Sequence, residues 1–199
     1  MVKFIDLPKD EPYLIFNELY TKALKANQSS IEAISVSSYN KNFDEVSSRF
    51  VNLKYIIRDE WIFFTNYNSP KVYSLESHPQ ASVLFYWNKI NTQIRIKAKV
   101  FRTSKEISDK HYAERSEEKN AIAISSDQSN LIESFEDVKI KYLSALKNKS
   151  SLSKRPEHWG GISFVPYSFE FWEGNEFRLN KRTIYEKNDE KWDNFILQP

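Results

Sequence analysis

The sequence predicts one mainly β domain over residues 1–199, an antiparallel β-barrel with peripheral α-helices. Five short segments rich in β-branched and aromatic residues follow one another before the longest predicted helix, without regular alternation of strand and helix. No repeat, low-complexity tract or Gly/Ser-rich linker divides the chain, and its three glycines all fall in the last quarter. We therefore expect a single domain, with residues 1–10 as an N-terminal tail.

The individual elements follow from the spacing of apolar residues. Apolar residues at helical spacing predict an opening amphipathic helix over residues 11–27. Strands are predicted over residues 31–38, 48–58, 60–66, 81–88, 91–103, 162–172, 183–187 and 191–197. Further helices are predicted over residues 69–77, 105–115 and 130–147. The last of these helices is expected to turn an apolar side inward, formed by Leu131, Ile132, Phe135, Val138 and Leu143.

Composition limits the kinds of function that the chain can have. Lys and Arg number 29 and Asp and Glu 27, so no general positive field would gather nucleic acid or an anionic membrane. The chain has no Cys, which excludes disulfides, thiol catalysis and thiolate metal sites, and its three His are too far apart to suggest a metal motif. Because no apolar run reaches signal-peptide or membrane-span length, we expect a cytoplasmic protein without a membrane partner.

The segment from Thr65 to Lys71 has the features of an anion site. It follows the apolar strand segment 61–64, Ser69 suits the N-cap of a helix, and Pro70 suits the first helical position. Lys71 adds positive charge to a helix N-terminus, where free amides and the helix dipole favour a phosphate. The same pattern also fits an ordinary capped helix.

Three further segments carry polar side chains that could meet a ligand. Gln93, at a strand entrance, can both donate to and accept from the edge of a heterocycle. Arg49 and Lys54 lie five residues apart and would share a ligand only through a bulge or a ligand that wraps the strand edge. His111 and Arg115 are four residues apart and would share a helix face. Exposed surface side chains are the alternative interpretation in each case.

The C-terminal region contains the last candidate. A strand of buried type ends at Trp172, turns at Gly174 and returns through Arg178 and Arg182. If the return is a regular strand, Arg178, Asn180 and Arg182 alternate onto one face. Two guanidinium groups and an amide beside an indole would suit a flat anionic ligand, although Arg pairs at a turn also serve structural roles.

Together these segments resemble the pyridoxamine 5'-phosphate oxidase family over almost the whole chain. Residues 49–54 (Arg-Phe-Val-Asn-Leu-Lys) resemble the family's Arg-x-Val-Leu-Leu-Lys, and residues 63–66 (Phe-Phe-Thr-Asn) resemble its Phe-Tyr-Thr-Asn. Asp-Gln-Ser at 127–129 resembles its Lys-Gln-Ser, and Trp-Gly-Gly at 159–161 matches directly. Residues 169–182 resemble its C-terminal signature, Glu-Phe-Trp followed by Arg-Leu-His-Asp-Arg.

The resemblance implies an FMN-binding split barrel that forms a homodimer, with two flavin sites built from both subunits. Arg49 and Lys71 would neutralise the flavin phosphate, and Trp172 would supply apolar cover. The full set of FMN contacts that the resemblance implies is Arg49, Phe50, Val51, Asn52, Leu53, Lys54, Phe64, Thr65, Ser69, Pro70, Lys71, Gln93, Gln128, Ser129, Trp172 and Arg182.

The resemblance also implies a small phosphorylated pyridine as substrate, with Arg178 and Asn180 as catalytic residues. The substrate positions that carry over are Lys54, His111, Arg115, Lys119, Arg178 and Asn180.

The chain departs from the family at several of these positions. Pro70 replaces an Arg beside the flavin phosphate, and His111 and Lys119 stand where the family has a Tyr and a Ser. Asn180 replaces the His of Arg-Leu-His, and Lys181 replaces the Asp that follows it. These departures fall at both phosphate sites and beside the reacting ring.

The expected activity is the FMN-dependent oxidation of pyridoxamine or pyridoxine 5'-phosphate to pyridoxal 5'-phosphate, with O2 as acceptor and H2O2 as product. Arg178 would orient the substrate, whereas Asn180 could donate a hydrogen bond but could not act as an acid or base near neutral pH. A weaker oxidase is therefore expected. One alternative is a related split-barrel flavin oxidase with a substrate outside the B6 group. The other is a non-catalytic protein that binds FMN or pyridoxal phosphate, which Pro70 and Asn180 would favour.

Overall fold

A computed structural model describes all residues from 1 to 199, in ten strands and six α-helices. In chain order the elements are β1 (Lys3–Ile5), α1 (Glu11–Lys25), β2 (Ala33–Asn40), β3 (Glu45–Asn52), β4 (Tyr55–Ile57), β5 (Glu60–Asn66), α2 (Pro70–Ser77), β6 (Gln80–Trp87), β7 (Thr92–Arg102), α3 (Lys105–Ala113), α4 (Glu117–Ser125), α5 (Phe135–Lys147), α6 (Lys149–Leu152), β8 (Trp159–Glu173), β9 (Lys181–Asn188) and β10 (Lys191–Leu197). None of the helices is both long and apolar enough to cross a lipid bilayer.

All ten strands belong to one sheet, in the order β1-β4-β5-β8-β7-β6-β2-β3, with β9 added to β8 and β10 to β9. Every pairing is antiparallel except that of β1 with β4. The long strand β8 pairs with β5 through its first half and with β9 through its second, while β7 runs along nearly its whole length. The predicted mainly β, antiparallel class with peripheral helices is confirmed.

The link between β3 and β4 shows that the sheet closes on itself. These strands lie at or near opposite ends of the strand order, yet only Leu53 and Lys54 join them. Two residues span less than about 10 Å, so the two ends of the sheet must meet. The backbone N–H of Leu53 donates to Glu32 O (2.9 Å) and that of Lys54 donates to Ile62 O (2.8 Å), which ties the link to both ends. The single predicted strand over residues 48–58 is therefore two strands.

Helix α1 packs its buried face against the sheet and contributes aromatic side chains to the core. Phe16 is fully buried and packs edge-on against Trp61 of β5, with ring centroids 4.4 Å apart, and against Phe85 of β6 at 5.2 Å. Tyr13 makes a similar contact with Phe169 of β8 at 5.3 Å. Each such pair adds about 0.5–1.5 kcal/mol beyond its buried area, so α1 holds the strands that carry the site in fixed positions.

The first ten residues do not form the expected tail. Strand β1 pairs in parallel with β4, and the backbone N–H of Val2 donates to the buried hydroxyl of Tyr20 (3.0 Å). Phe4 packs edge-on against the ring of Tyr20, with centroids 5.1 Å apart. The segment is thus held by backbone pairing and an aromatic contact, neither of which is visible in its local sequence.

The predicted helix over residues 130–147 is shorter and less buried than expected. It begins at Phe135 because Ser134 caps it, accepting a hydrogen bond from the N–H of Asp137 (3.1 Å). None of its residues is buried, and Leu131, Phe135 and Leu143 are exposed. The expected inner side is therefore wrong for the single chain, because α5 packs mainly against α4 and α6 rather than on the sheet. Helix α4 was not predicted from the sequence.

Candidate functional site

A cleft of about 750 Å³ lies between the β3–β5 region and helices α3 and α4. It brings together eleven of the predicted site residues, which come from distant parts of the sequence: Phe50, Val51, Asn52, Lys54, Phe64, Thr65, Lys71, His111, Arg115, Lys119 and Gln128. Its lining is strongly positive, because it contains five Lys or Arg side chains and a single carboxylate, that of Glu114. Since the whole chain carries a formal net charge of only +2, this excess is a property of the cleft.

Two neighbouring cations have no acidic partner: Lys71 lines the cleft, whereas Arg49 lies beside Lys71 but outside the lining. Lys71 Nζ donates to the hydroxyls of Thr65 (3.0 Å) and Ser69 (2.8 Å), so neutral oxygens alone hold its charge. Arg49 extends from β3 and donates to the hydroxyls of Ser38 (2.8 Å) and Ser47. Neither cation lies within salt-bridge distance of a carboxylate. Half-buried cations held only by neutral groups are a fitting donor set for a phosphate dianion.

The electrostatics of this pair follow from burial. Desolvation and the nearby charge of Arg49 lower the pKa of Lys71 to about 8, and desolvation also lowers the pKa of Arg49. Ser69 occupies the N-cap position of α2, as expected, but its side chain makes no capping hydrogen bond. Instead its hydroxyl donates to Asn66 O (2.7 Å) and accepts from Lys71. The segment therefore positions a cation in addition to starting a helix.

A third unpaired cation, Arg115, marks another part of the cleft. Its guanidinium carbon lies 4.4 Å from the centre of the Trp159 ring, and Nε donates to Asn120 Oδ1 (3.0 Å). Its pKa is lowered by burial, and no carboxylate lies within ion-pair distance. Lys54, from the β3–β4 link, is 3.9 Å from Glu32 and half-buried. Lys119 is exposed at the rim.

His111 lines the same cleft in a stack of aromatic rings. Its imidazole lies 3.8 Å from the ring centre of Phe64, at an interplanar angle of 16°, and is nearly parallel to the indole of Trp159. Its Nδ1 is 2.9 Å from the hydroxyl of Tyr55. Burial, reinforced by the charge of Arg115, lowers the pKa of His111 to about 4, so the free ring is neutral at physiological pH. Tyr55, Glu114 and Trp159 were not predicted as site residues.

A second group of predicted residues lies elsewhere on the molecule. Gln93, Trp172 and Arg182 are direct neighbours in register across β7, β8 and β9. Arg182 Nε donates to Glu170 Oε1 (2.8 Å), which also accepts from Arg95 (3.0 Å).

The two groups do not meet within one chain. No residue after Trp159 lines the cleft, whereas Trp172 lies thirteen residues further along β8. Because an extended strand rises about 3.3 Å per residue, roughly 40 Å of strand separates the second group from the cleft. Gly161 of the same strand pairs with Phe64 at the cleft end. A single chain therefore keeps the two groups of predicted residues apart, one in the cleft and one on the outer face of β7–β9.

The turn before β9 corrects one expectation. Arg178 and Asn180 do not alternate with Arg182 along a strand, because β9 begins only at Lys181. The side-chain oxygen of Asn180 accepts from the N–H of Asn175 (3.1 Å), and Arg178 is exposed with a left-handed φ of 60°.

The remaining predicted residues lie outside the cleft lining, as do Arg49 and Ser69 beside Lys71. Leu53 is fully buried in the core, and Pro70 is exposed at the first position of α2. Ser129 is exposed in the loop after α4, with a left-handed φ of 72°.

Comparisons with known proteins identify the family of the chain. Residues 159–199 match the family model described as the pyridoxine 5'-phosphate oxidase C-terminal dimerisation region. The chain is 33% identical over 190 residues to the pyridoxine/pyridoxamine 5'-phosphate oxidase of Leptospira biflexa, covering 95% of this chain and 89% of that protein. It is also 33% identical over 178 residues to the enzyme of the same name from Burkholderia cenocepacia, covering 89% and 83% of the two chains.

Solved structures share the fold. PhzG from Burkholderia lata 383, solved in complex with tetrahydrophenazine-1-carboxylic acid, superposes with a TM-score of 0.90 at 26% identity, over 96% of this chain and 94% of that one. A pyridoxamine 5'-phosphate oxidase-related, FMN-binding protein from Nostoc punctiforme has the same fold, with a TM-score of 0.75 at 13% identity over 92% and 97% of the chains. FMN is the cofactor of this family. The chain belongs to the pyridoxine/pyridoxamine 5'-phosphate oxidase family and has its FMN-binding split-barrel fold.

Proposed function

We propose that the protein is an FMN-dependent oxidase that converts pyridoxamine or pyridoxine 5'-phosphate to pyridoxal 5'-phosphate, with O2 as acceptor and H2O2 as product. The observation that carries the proposal is a set of cations without an acidic partner: Lys71 in the cleft with Arg49 beside it, and Arg115 in another part of the cleft. Two groups of cations suit two phosphates, one on the cofactor and one on the substrate. A cytoplasmic location is part of the same proposal.

The flavin phosphate would be held by Lys71 and Arg49, with the hydroxyls of Thr65 and Ser69 beside them. These hydroxyls already hold Lys71 in place, so binding requires little reorganisation. A dianion between the two cations would relieve their mutual repulsion and restore the usual protonation of Lys71. Residues 50–52, Phe64 and Gln128, which line the same cleft, would contact the rest of the cofactor.

The second group of predicted residues would come from another copy of the chain. We infer a homodimer in which Gln93, Trp172 and Arg182 of one subunit complete the flavin site formed by the cleft of the other. The match of residues 159–199 to a dimerisation region supports this arrangement, since Trp172 and Arg182 lie within that region. Exposed Phe177, Leu179 and other apolar side chains of the same region give the surface the character of an oligomer interface.

The substrate phosphate would lie near Lys54, His111, Arg115 and Lys119. When bound, FMN supplies the redox chemistry, taking a hydride from the substrate carbon and passing the electrons to O2. The protein residues supply position and charge. Phe64 and Trp159 give the cleft a flat wall, and the cations set the orientation of the substrate by its phosphate.

Arg178 and Asn180 would act from the turn before β9 of the partner copy. Arg178 is exposed and free to contact a substrate, and Asn180 stands where the family carries a His. An amide cannot take up a proton near neutral pH, so Asn180→His is expected to raise turnover at saturating substrate. In a variant that retains the turn, an unchanged or lower rate would count against this role. The turn must be checked because the substitution removes the side-chain oxygen that accepts from the N–H of Asn175.

Arg115→Ala tests the proposal. Loss of a charge-assisted contact with phosphate should raise KM for pyridoxamine 5'-phosphate by on the order of 10- to 100-fold. KM for unphosphorylated pyridoxamine should change by less than about twofold, because that substrate has no phosphate to lose. Arg115→Lys, which keeps the charge but not the planar fork, is the control and should fall between the two. Equal effects on both substrates would contradict a phosphate role.

A second candidate is a flavin oxidase of a larger aromatic acid. The observation that favours it is the likeness to PhzG, which was solved with a tricyclic carboxylic acid. A carboxylate carries one negative charge, fewer than a phosphate dianion, so the cation excess of the cleft favours the phosphorylated substrate. Turnover of a tricyclic acid, together with failure to oxidise pyridoxamine 5'-phosphate, would favour this candidate.

A further inference from the structure

His111 is held firmly in the cleft while leaving one ring nitrogen without a partner. Packing against Phe64 fixes the plane of the imidazole, and the hydrogen bond between Nδ1 and the Tyr55 hydroxyl fixes its rotation. Its Nε2 has no hydrogen-bond partner in the protein, although the residue lines the cleft. An unpartnered ring nitrogen on a residue that lines the cleft is available to a ligand.

The hydrogen-bond chain behind the ring decides which nitrogen carries the proton. The hydroxyl of Tyr55 lies 3.1 Å from Glu114 Oε2, which also accepts from Lys3 Nζ at 2.8 Å. The pKa of Glu114 is lowered by Lys3 and Tyr55, so its carboxylate is ionised and can only accept. Tyr55 has a single proton, which goes to the carboxylate, and its oxygen then accepts from the Nδ1–H of the neutral imidazole. The lone pair of the ring is therefore on Nε2.

The charges around His111 oppose its protonation in the free protein. Arg115 follows helix α3, which carries His111, whereas Lys54 comes from the β3–β4 link and Lys3 from β1. All three lower the pKa of the ring. Glu114 is the only charged group that raises it. A phosphate dianion between these cations would neutralise them and place negative charge beside Nε2, which reverses the balance.

We propose that His111 is a proton-coupled ligand of the substrate phosphate: Nε2 takes up one proton as a phosphate enters between Lys54 and Arg115, and then donates it in a hydrogen bond to a phosphate oxygen. This inference rests on the proposed function, because it names the group that recognises the substrate phosphate. A Tyr at this position, as in the family pattern, would donate without changing charge. In this chain the protonated His111 adds one positive charge to the phosphate site of the complex. The affinity for the phosphate should therefore rise as the pH falls.

Ring-nitrogen NMR of the FMN-loaded protein tests the inference, because the chain contains only three His. His111→Gln assigns the signal, and His78 and His158 serve as internal references. In the free protein at pH 6 the His111 signals should be those of a neutral ring protonated on Nδ1. Saturation with pyridoxal 5'-phosphate, or with inorganic phosphate, should move both nitrogens to the imidazolium positions.

His111→Tyr is the matched control for affinity. Between pH 6 and 8 the wild-type affinity for pyridoxal 5'-phosphate should fall by up to tenfold per pH unit relative to the variant, whose profile reports only the phosphate's own titration. Bound pyridoxal 5'-phosphate with a neutral His111 at pH 6, or parallel pH profiles, would overturn the inference and leave the proposed function standing. Protonation of His111 by phosphate, without oxidation of pyridoxamine 5'-phosphate, would support the inference and count against the proposed substrate. If neither pyridoxal 5'-phosphate nor inorganic phosphate binds, the inference and the proposed function are both overturned.

Discussion

At the scale of single residues, the site is defined by cations whose charge the free protein does not neutralise. Lys71 shows the effect most clearly, because two hydroxyls hold it while burial and Arg49 disfavour its charged form. The sequence identified Lys71 through its position after Ser69 and Pro70 at a helix start. It could not reveal that Arg49, from a different strand, raises the cost of that charge, because the contact depends on how the sheet closes.

The lowered pKa of Lys71 predicts how cofactor binding responds to pH. Since the pKa is about 8 in the folded protein and 10.5 ordinarily, the unfolded chain binds more protons between these values. Stability of the FMN-free protein should therefore gain a contribution from this group as the pH rises from 8 to 10.5. FMN affinity should fall over the same range, by up to tenfold per pH unit, because the phosphate then meets a neutral amine.

Quenching of flavin fluorescence measures this affinity. Riboflavin, which lacks the phosphate, should bind with an affinity that does not follow this trend, and Lys71→Gln should flatten the FMN profile. An FMN affinity that is constant from pH 7 to 10 in the wild type would rule out Lys71 as a phosphate ligand.

At the scale of elements, strand β8 holds the cleft together through its close contact with Tyr67. Gly160 and Gly161 pair with Thr65 and Phe64 in β5, beside the cleft. A side chain at Gly160 would overlap the hydroxyl and ring of Tyr67, which donates to Gly161 O (3.2 Å). The Trp-Gly-Gly motif therefore has a packing reason in this fold: only glycine leaves room for Tyr67.

Gly160→Ala is expected to destabilise the protein by about 1–3 kcal/mol, because overpacking must displace a buried ring or the strand itself. The shift of β8 against Thr65 should also weaken FMN binding. Gly174→Ala is the control, since its added methyl would meet the side-chain amide of Asn91 rather than a buried ring. Denaturant unfolding of both variants measures the difference. Equal stability losses would contradict the packing explanation.

The elements that the sequence predicted well are those whose signals are local. The bounds of β5 and β10 are as predicted, and α1 and α2 begin where the apolar spacing and the Ser-Pro signal indicate. The break between β3 and β4 escaped prediction because it is imposed by hydrogen bonds from the N–H groups of Leu53 and Lys54 to Glu32 O and Ile62 O, which lie in other parts of the chain. Helix α4 was missed because its buried apolar residues, Ala121 and Ala123, are small and give little periodic signal.

At the scale of the whole molecule, the chain carries two groups of predicted site residues that no single copy brings together. Eleven predicted residues share the cleft, whereas Gln93, Trp172 and Arg182 share the outer face of β7–β9. The sequence motifs identified both groups, but only the fold separates them. Exposed apolar residues on α5, on the loop before it and around β9–β10 leave the single chain with surface typical of an interface.

Mixing two variants tests whether one flavin site uses two copies. Lys71→Gln impairs the cleft and Arg182→Gln impairs the outer face, so each pure dimer should bind FMN poorly. In a mixed dimer one site combines the two intact halves, and random mixing should restore about a quarter of the wild-type sites. Lys71→Gln mixed with Arg115→Ala is the control for activity, because both residues line the same cleft and no site regains both. No recovery of FMN binding in the first mixture would contradict the shared site.

The most direct test of the account is to mix the FMN-loaded protein anaerobically with pyridoxamine 5'-phosphate and to monitor the visible absorption band of the flavin. The account predicts that the band bleaches within turnover times and returns when O2 is admitted, with pyridoxal 5'-phosphate formed in proportion. Unphosphorylated pyridoxamine at the same concentration should bleach it far more slowly, because Arg115 then has no phosphate to hold. A band that stays unchanged with pyridoxamine 5'-phosphate bound, or a protein that does not retain FMN, would contradict the account.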